Sequence, residues 1–465
     1  MRSGVCLIVV TVAASTLAGS GSSRTSASPP PLQATKIAAG DQHTCAITDS
    51  GGAKCWGDNE FGQLGDGTRT NRSAPVAVSG LDSGVSALAG GYGHTCALVT
   101  GGGAKCWGLN SPPFGNGQLG DGTSTDRTTP VDVVGLASGV STITLGGHHT
   151  CALAGGGVKC WGFNPQGQLG DGTTNDHPTP VDVPGLTSGV VAVAAGGHFT
   201  CAIVGGGGVK CWGDNSNGQL GDGTISERHT PVSVTGLGGV SSLAASGHHL
   251  GGFFVCAIVG GGAKCWGDNG HGQLGNGTTT ESHSPVAVSG LSSGVVALAA
   301  GGNFACALLS SGGVKCWGAN EHGELGDGST NDRSTPGDVV GLTRGVSAIA
   351  AGSYHTCAVL TTGEVRCWGR NDLGQLGDGT KTDRTTPVTV LSVAPVSCHV
   401  PNVRGKTLRA AKKAIARRHC SVGKIRRAFS AKFKKGRVVS QKPRSGKVLP
   451  EHGKVNLVVS RGKRR

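Results

Sequence analysis

Aromatic side chains make up only 4% of the 465 residues, and apolar residues at helical spacing are absent from residues 36–395. Each shortage closes a class of answer. Few aromatics leave little material for a broad recognition surface, and the missing 3.6-residue period excludes a helical bundle. The longest apolar run, residues 5–18, falls short of the roughly 20 residues that a spanning helix needs. With Arg2 ahead of it and Leu17, Ala18, Gly19 and Ser20 at its end, that run reads as a secretory signal.

The groups that chemistry requires are missing as well. No cysteines stand at the short spacing of a zinc site, and the Asp-Gly loops lack the dense oxygen ligands of a calcium loop. The glycine-rich turns are not followed by the Lys and helix of a phosphate cradle. Gly290-Leu291-Ser292-Ser293-Gly294 spells a nucleophile-elbow pattern, yet its counterpart Gly80-Leu81-Asp82-Ser83-Gly84 has Asp in the Ser slot and no helix follows. The expectation is therefore a protein without catalytic residues, metal or cofactor, and without a small-molecule substrate.

Cysteine and repetition are what the chain has. Seven pairs recur every 50 to 55 residues: Cys45 with Cys55, Cys96 with Cys106, Cys151 with Cys160, Cys201 with Cys211, Cys256 with Cys265, Cys306 with Cys316 and Cys357 with Cys367. A tryptophan follows the second Cys of each pair, which uses every Trp in the sequence. One unit is thus repeated seven times. Each unit offers four short strands broken by glycine-rich turns, which predicts an all-β, seven-bladed β-propeller. The array opens without a preceding Pro-Val strand and ends on Pro387-Val388-Thr389-Val390, so the terminal strand is expected to pair into the first blade and lock the ring. The Trp set reads as core. The position two before each first Cys, His43, His94, His149 and His355 but Phe199, Phe254 and Phe304, reads as an aromatic packing slot.

Removing the signal removes Cys6 and leaves an even 16 cysteines in an oxidising compartment. Cross-strand disulfides within each hairpin are expected, because seven radially separated pairs cannot converge on a metal. Asp66, Asp121, Asp171, Asp222, Asn276, Asp327 and Asp378 read as turn residues. Arg72, Arg127, His177, Arg228, Ser282, Arg333 and Arg384 fall in a ring whose charge the preceding acidic or amide residues neutralise. Two insertions, around Phe114 and around His248, His249 and Phe253, are the candidate partner-contact loops.

The repeat Gly-x-x-His-Thr-Cys-Ala followed by Cys-Trp-Gly-x-Asn-x-x-Gly-Gln-Leu-Gly-Asp-Gly-Thr resembles that of the regulator of chromosome condensation family, over residues 36–391. The resemblance implies a seven-bladed propeller. It also implies candidate roles: a regulator of guanine-nucleotide exchange on a small GTPase, or a secreted inhibitor like the propeller proteins that bind β-lactamase.

Beyond residue 395 the composition changes. Residues 396–465 hold 22 Lys and Arg against Glu451 alone, while the rest of the chain has 19 basic and 26 acidic residues. Leu408, Ala411 and Ile415 at helical spacing, then residues 437–441 and 455–459, predict one helix and two strands, with Cys398 and Cys420 bracketing the helix and expected to tie it to the strand that follows. Val400-Pro401-Asn402-Val403, Val438-Val439-Ser440-Gln441-Lys442-Pro443 and Leu457-Val458-Val459-Ser460-Arg461-Gly462 resemble a PASTA domain. That likeness implies a small α+β module that engages cell-wall muropeptide, with Arg404, Lys406, Arg409, Lys442, Arg444 and Lys447 as the wall-binding candidates.

The expected organisation is a signal peptide at 1–20, a Ser/Pro-rich linker at 21–35, the propeller at 36–391, the PASTA domain at 396–462 and a basic end at 463–465. The expected function is a secreted or wall-associated bacterial scaffold. Its partners are peptidoglycan or an anionic wall polymer through the tail and an unidentified protein through the propeller loops. Excess positive charge also allows nonspecific contact with nucleic acid.

Overall fold

The computed structural model describes residues 30–113, 116–246, 253–392, 398–418, 420–449 and 453–464. Seven four-stranded antiparallel sheets occupy residues 34–77, 85–132, 140–182, 190–233, 240–287, 295–338 and 346–389. In the first blade the strands are Ala34–Ala39, His43–Thr48, Ala53–Gly57 and Arg72–Ala77, paired in chain order. The first strands of successive blades neighbour one another around an axis, and Val346–Ala351 returns to Ala34–Ala39. Small side chains are required there: a Cβ on Gly90 would lie 2.6 Å from the backbone nitrogen of Gly40. Farther out the blades diverge and large side chains fit.

Closure differs from the sequence expectation. The last strand, Arg384–Thr389, pairs with Val365–Gly369 of its own blade, not with the first blade. Three other devices close the ring. Residues 30–34 run along the seventh blade, with Leu32 N–H donating to Val390 O, Ala34 N–H to Gly363 O and Ser392 N–H to Pro30 O. Leu32 and Ala34 are buried, so the linker expected at 21–35 does not extend that far. Backbone bonds also pass from blade to blade around the axis: Asp41 N–H to Gly91 O, Tyr92 N–H to Gly147 O, Gly147 N–H to Gly197 O, Gly197 N–H to Ser246 O and Gly302 N–H to Ser353 O. Ser353 N–H to Asp41 O makes the same link from the last blade to the first. Lastly, Trp56 of blade 1 donates to Gln375 O of blade 7 at 2.9 Å.

That last bond is one of seven. Trp107, Trp161, Trp212, Trp266, Trp317 and Trp368 each donate their indole N–H to the carbonyl of Gln63, Gln118, Gln168, Gln219, Gln273 and Glu324 in the preceding blade. All seven indoles are fully buried. Each hairpin sets its two cysteines directly opposite one another with a Cα–Cα distance of 4.1 Å, and the sulfurs are bonded as the hairpin spacing predicts. Cys45 is joined to Cys55, Cys96 to Cys106, Cys151 to Cys160 and Cys201 to Cys211. In the remaining blades Cys256 is joined to Cys265, Cys306 to Cys316 and Cys357 to Cys367. This is the close, non-hydrogen-bonded kind of pair. Because Cys and Trp alternate on the strand, they leave opposite faces of the blade. Every inter-blade core therefore has the disulfide of one blade against the Trp of the next, as Cys45–Cys55 meets Trp107 and Cys357–Cys367 meets Trp56. Gly65, at φ +69°, completes the seal: a Cβ there would lie 2.7 Å from Trp107 Nε1, which is why Gly ends Gly-Gln-Leu-Gly.

The tail folds around its own small core. Helix Leu408–Ala416 starts at Thr407, whose side chain accepts from Ala410 N–H. It buries Ala411 and Ile415 in a cluster with Val403, Val438, Val455 and Leu457. A three-stranded sheet has Lys454–Ser460 at its centre, Val438–Lys442 antiparallel on one side and Ser421–Ala428 parallel on the other. The strand Ser421–Ala428 lay outside the sequence expectation. Cys398 and Cys420 are bonded, tying the start of the module to the end of its helix.

Candidate functional site

Antiparallel pairing in chain order puts the turn between the first and second strands of a blade on the same face as the long loop after the third. The hairpin turn carrying the two cysteines opens onto the other face. The loop face is supported from below by a polar network at the blade interfaces. His43 Nε2 meets Thr95 Oγ1 of the next blade at 2.8 Å, and Thr95 Oγ1 donates to Gln63 O. The same triad joins His94 to Thr150, His149 to Thr200, and His355 across the closure to Thr44. Since the Thr proton is spent on the carbonyl, each imidazole donates from Nε2 and is neutral. Burial drives His43 down to about 4 and His149 and His355 to about 3. Phe199 faces Val255 and Phe254 faces Ala305 at the positions equivalent to these His–Thr pairs, so the aromatic slot and the following blade change character together.

The long loops are self-contained. In each, a fully buried Asn such as Asn59 accepts from Leu64 N–H and donates to Thr68 O and Thr70 O. Asp66 Oδ1 takes Thr68 N–H and Oγ1–H, and Oδ2 takes Arg72 at 2.7 Å. Burial opposes the charge on Asp66, but the bonds from Thr68 and Arg72 outweigh it and hold its carboxyl below the usual range. The ring cations are thus neutralised by the Asp of the turn, not by the residue before them as the sequence suggested. The pairs Arg127–Asp121, His177–Asp171, Arg228–Asp222, Arg333–Asp327 and Arg384–Asp378 follow the same plan. In blade 5 both partners are exchanged at once, to Asn276 and Ser282. Residues that precede the ring cations, such as Asp126 and Asp383, instead accept the backbone N–H of Asn110 and Asn371. They also take Arg69 and His322 from the preceding blade. Among the described residues no cluster of three or more metal-ligating side chains occurs.

On top of this network, near the axis, the scarce aromatics are gathered in an arc. Tyr92 meets His148 at 5.0 Å between ring centroids, His148 meets His198 at 6.2 Å, and His198 stacks on Phe253 at 5.7 Å. Phe61 flanks Tyr92 and Phe163 flanks both histidines. Of the loop candidates, Phe253 is 6% exposed and also packs on Phe199, so it supports the arc instead of projecting from it. Phe114, His248 and His249 lie outside the described residues. At one end of the arc a cleft of about 400 Å³ is lined by Asp41, Asp58, Glu60, Phe61, Arg69 and Tyr92 among others. Burial raises the Asp58 carboxyl above its ordinary value.

The tail presents a second concavity, about 430 Å³, on its sheet. Lys424, Arg426 and Lys442 line it with Ser440, Gln441 and Asn456. Of the six wall-binding candidates only Lys442 borders it. Arg404 lies over the Phe433 ring at 5.6 Å, and Lys406, Arg409, Arg444 and Lys447 lie elsewhere on the module. Lys424 and Arg426 were missed because their strand was missed; their spacing of two would have put them on one face. No helix among the described residues is long and apolar enough to cross a membrane.

Comparison with known proteins agrees with this geometry. The Regulator of chromosome condensation (RCC1) repeat matches at 51–98, 106–153, 156–203, 207–257, 265–308, 311–359 and 362–401. The chain belongs to the regulator of chromosome condensation repeat family. It is 33% identical over 368 residues to the ultraviolet-B receptor UVR8 of Arabidopsis thaliana, covering 77% of this chain and 82% of that protein. It is 32% identical over 366 residues to the human E3 ubiquitin-protein ligase HERC2, covering 75% of this chain but 6% of that much longer protein. Among solved structures, human WBSCR16 superposes with a TM-score of 0.63 at 25% identity, covering 74% of this chain and 95% of that one. Yeast RCC1 (Prp20), in its complex with Kap60, superposes with a TM-score of 0.64 at 20% identity, covering 83% and 92%. A PASTA domain matches residues 399–461. The two blocks of the chain are thus a repeat-family propeller and a PASTA module. Propellers of this family serve as regulators or binding domains.

Proposed function

We propose that this is a secreted, non-enzymatic binding protein of the bacterial envelope: the tail associates with peptidoglycan or another anionic wall polymer, and the propeller presents its loop face to a protein partner. The observation that carries the reading is the segregation of charge. In the propeller the ring Arg and His of six long loops are each paired with the Asp of their own turn, whereas residues 396–465 bring 22 cations and one acid. Three of those cations converge on one groove. An uncompensated cationic surface draws polyanions over distances of about 8–10 Å at moderate ionic strength. Eight disulfides fit an oxidising compartment, and a signal at 1–20 would deliver the chain there.

The arc of rings on the loop face favours a protein partner, such as an enzyme that the propeller inhibits. Buried, well-supported aromatics of this kind anchor protein interfaces. The test is sedimentation of the mature chain with purified wall sacculi. The chain is expected to pellet, to be only partly released by 0.5 M salt, and to lose at least about tenfold in affinity when Lys424, Arg426 and Lys442 are changed together to Gln. Unchanged pelleting of that triple variant, or no pelleting of the parent chain, contradicts the reading.

A further inference from the structure

Asp41 stands where the loop-face cleft meets the axis of the propeller, and it is 5% exposed. Its Oδ2 accepts from Gln42 Nε2 at 3.1 Å, while Oδ1 has no hydrogen-bond partner among the described residues. A buried carboxylate oxygen without a donor is unfavourable, and the most direct compensation is a cation. The cleft's own cation is committed elsewhere: Arg69 already gives Nη2 to Asp126 at 2.9 Å and Nη1 to the Glu60 carbonyl at 3.1 Å. Asp58 and Glu60 add two further carboxyls to the walls. The rings of Phe61 and Tyr92, 6.4 Å apart, add aromatic surface of the kind that attracts cations.

From this we infer that the cleft captures a long cationic side chain, an arginine or lysine presented by an extended basic peptide or loop of the partner. Shape favours such a group. Asp41 borders the cleft but is only 5% exposed, so a slender group such as a guanidinium or ammonium on a methylene stem suits it better than a broad one, with the stem along the aromatic walls. Acid at the walls excludes a phosphate or carboxylate ligand from the same place. The inference rests on reading the loop face as a protein-contact surface, and it is independent of the tail.

The test uses the full mature chain and fluorescein-labelled Gly-Gly-Arg-Gly-Gly, read by anisotropy at 50 mM salt against the same peptide with citrulline, which keeps the shape and removes the charge. The arginine peptide is expected to bind at least tenfold more tightly than the citrulline peptide. Asp41→Asn should remove at least tenfold of that affinity and the exposed Glu60→Gln two- to threefold, while Asp82→Asn, on the opposite face, should leave it unchanged. Equal binding of the two peptides overturns the inference, as does equal loss in Asp41→Asn and Asp82→Asn. Should Asp41→Asn fail to fold, unchanged binding by Glu60→Gln together with Phe61→Ala overturns it instead. Sacculus pelleting run on Asp41→Asn separates the two claims: it persists whether or not the cleft takes arginine.

Discussion

Four of the seven blade interfaces are pinned by a histidine, at His43, His94, His149 and His355, whereas blades 4 to 6 present Phe199, Phe254 and Phe304 at the same depth. In the polar arc each imidazole meets a threonine that is itself bonded to a carbonyl of the blade before it. In the apolar arc Phe199 and Phe254 face Val255 and Ala305, and nothing polar is left behind. The seventh case is mixed: Phe304 faces Thr356, which still donates to Glu324 O. One packing position accepts either chemistry provided that no buried donor is left without an acceptor, because a lone buried donor costs more than the pair gains.

The largest effect that would sharpen this comparison is at Glu324. Six blades have Gln at this place. The sixth has a carboxyl, with Ala319 where blade 1 has Asp58 to receive the Gln63 amide. Burial pushes Glu324 from 4.5 to about 7. Because the folded form holds its proton more tightly than the unfolded one, the stability it contributes is full below about pH 4.5 and is lost as pH rises through about 7. Glu324→Gln should therefore raise stability at pH 8 by on the order of 2 kcal/mol and leave it unchanged at pH 4, as denaturant unfolding at the two pH values measures. An equal gain at both would break the account of that site.

The next effect is at Thr200. Thr200→Val strands the Nε2–H of His149 in a buried interface and should cost about 1–3 kcal/mol. Adding His149→Phe recreates the Phe199–Val255 arrangement and should restore most of the loss in a double-mutant cycle; additive losses would show that the two residues are not a unit. The smallest effect concerns acid. The buried imidazoles have depressed values, so their contribution is present above 6.5 and is lost as pH falls toward about 3. The double variant, with one imidazole fewer, should lose less stability between pH 7 and pH 4 than the parent chain.

How far the sequence could be read follows from where each partner lies. Cys45 and Cys55 sit in one hairpin, and Trp56 beside them is bound by strand alternation to the opposite face, so blade, staple and core were all legible. The His–Thr link was not, because it joins residues 51 to 56 positions apart, or 311 apart at the closure, and shows only when one repeat is compared with the next. Ring closure was misread for a similar reason. The Pro-Val strand fits its own blade and the first equally well as a sequence, and the contacts of Leu32 and Ala34 decide between them. The aromatic arc was hidden by the 4% average. Its members, Tyr92, His148, His198 and Phe253, occupy the variable positions just before the aromatic slot, which no count of aromatics reveals. In the tail, Lys424 and Arg426 escaped because Ser421–Ala428 is rich in cations and resembles a solvated segment more than a strand.

All of these features depend on the sulfurs being joined in pairs, since each inter-blade core is built on a disulfide and an indole. The direct measurement is the number of reactive thiols in the mature chain, recovered from the cells that make it and unfolded without reductant. The account predicts that none of the 16 cysteines beyond Cys6 reacts; 14 or more reactive thiols would contradict both the stapled ring and the proposed extracellular setting.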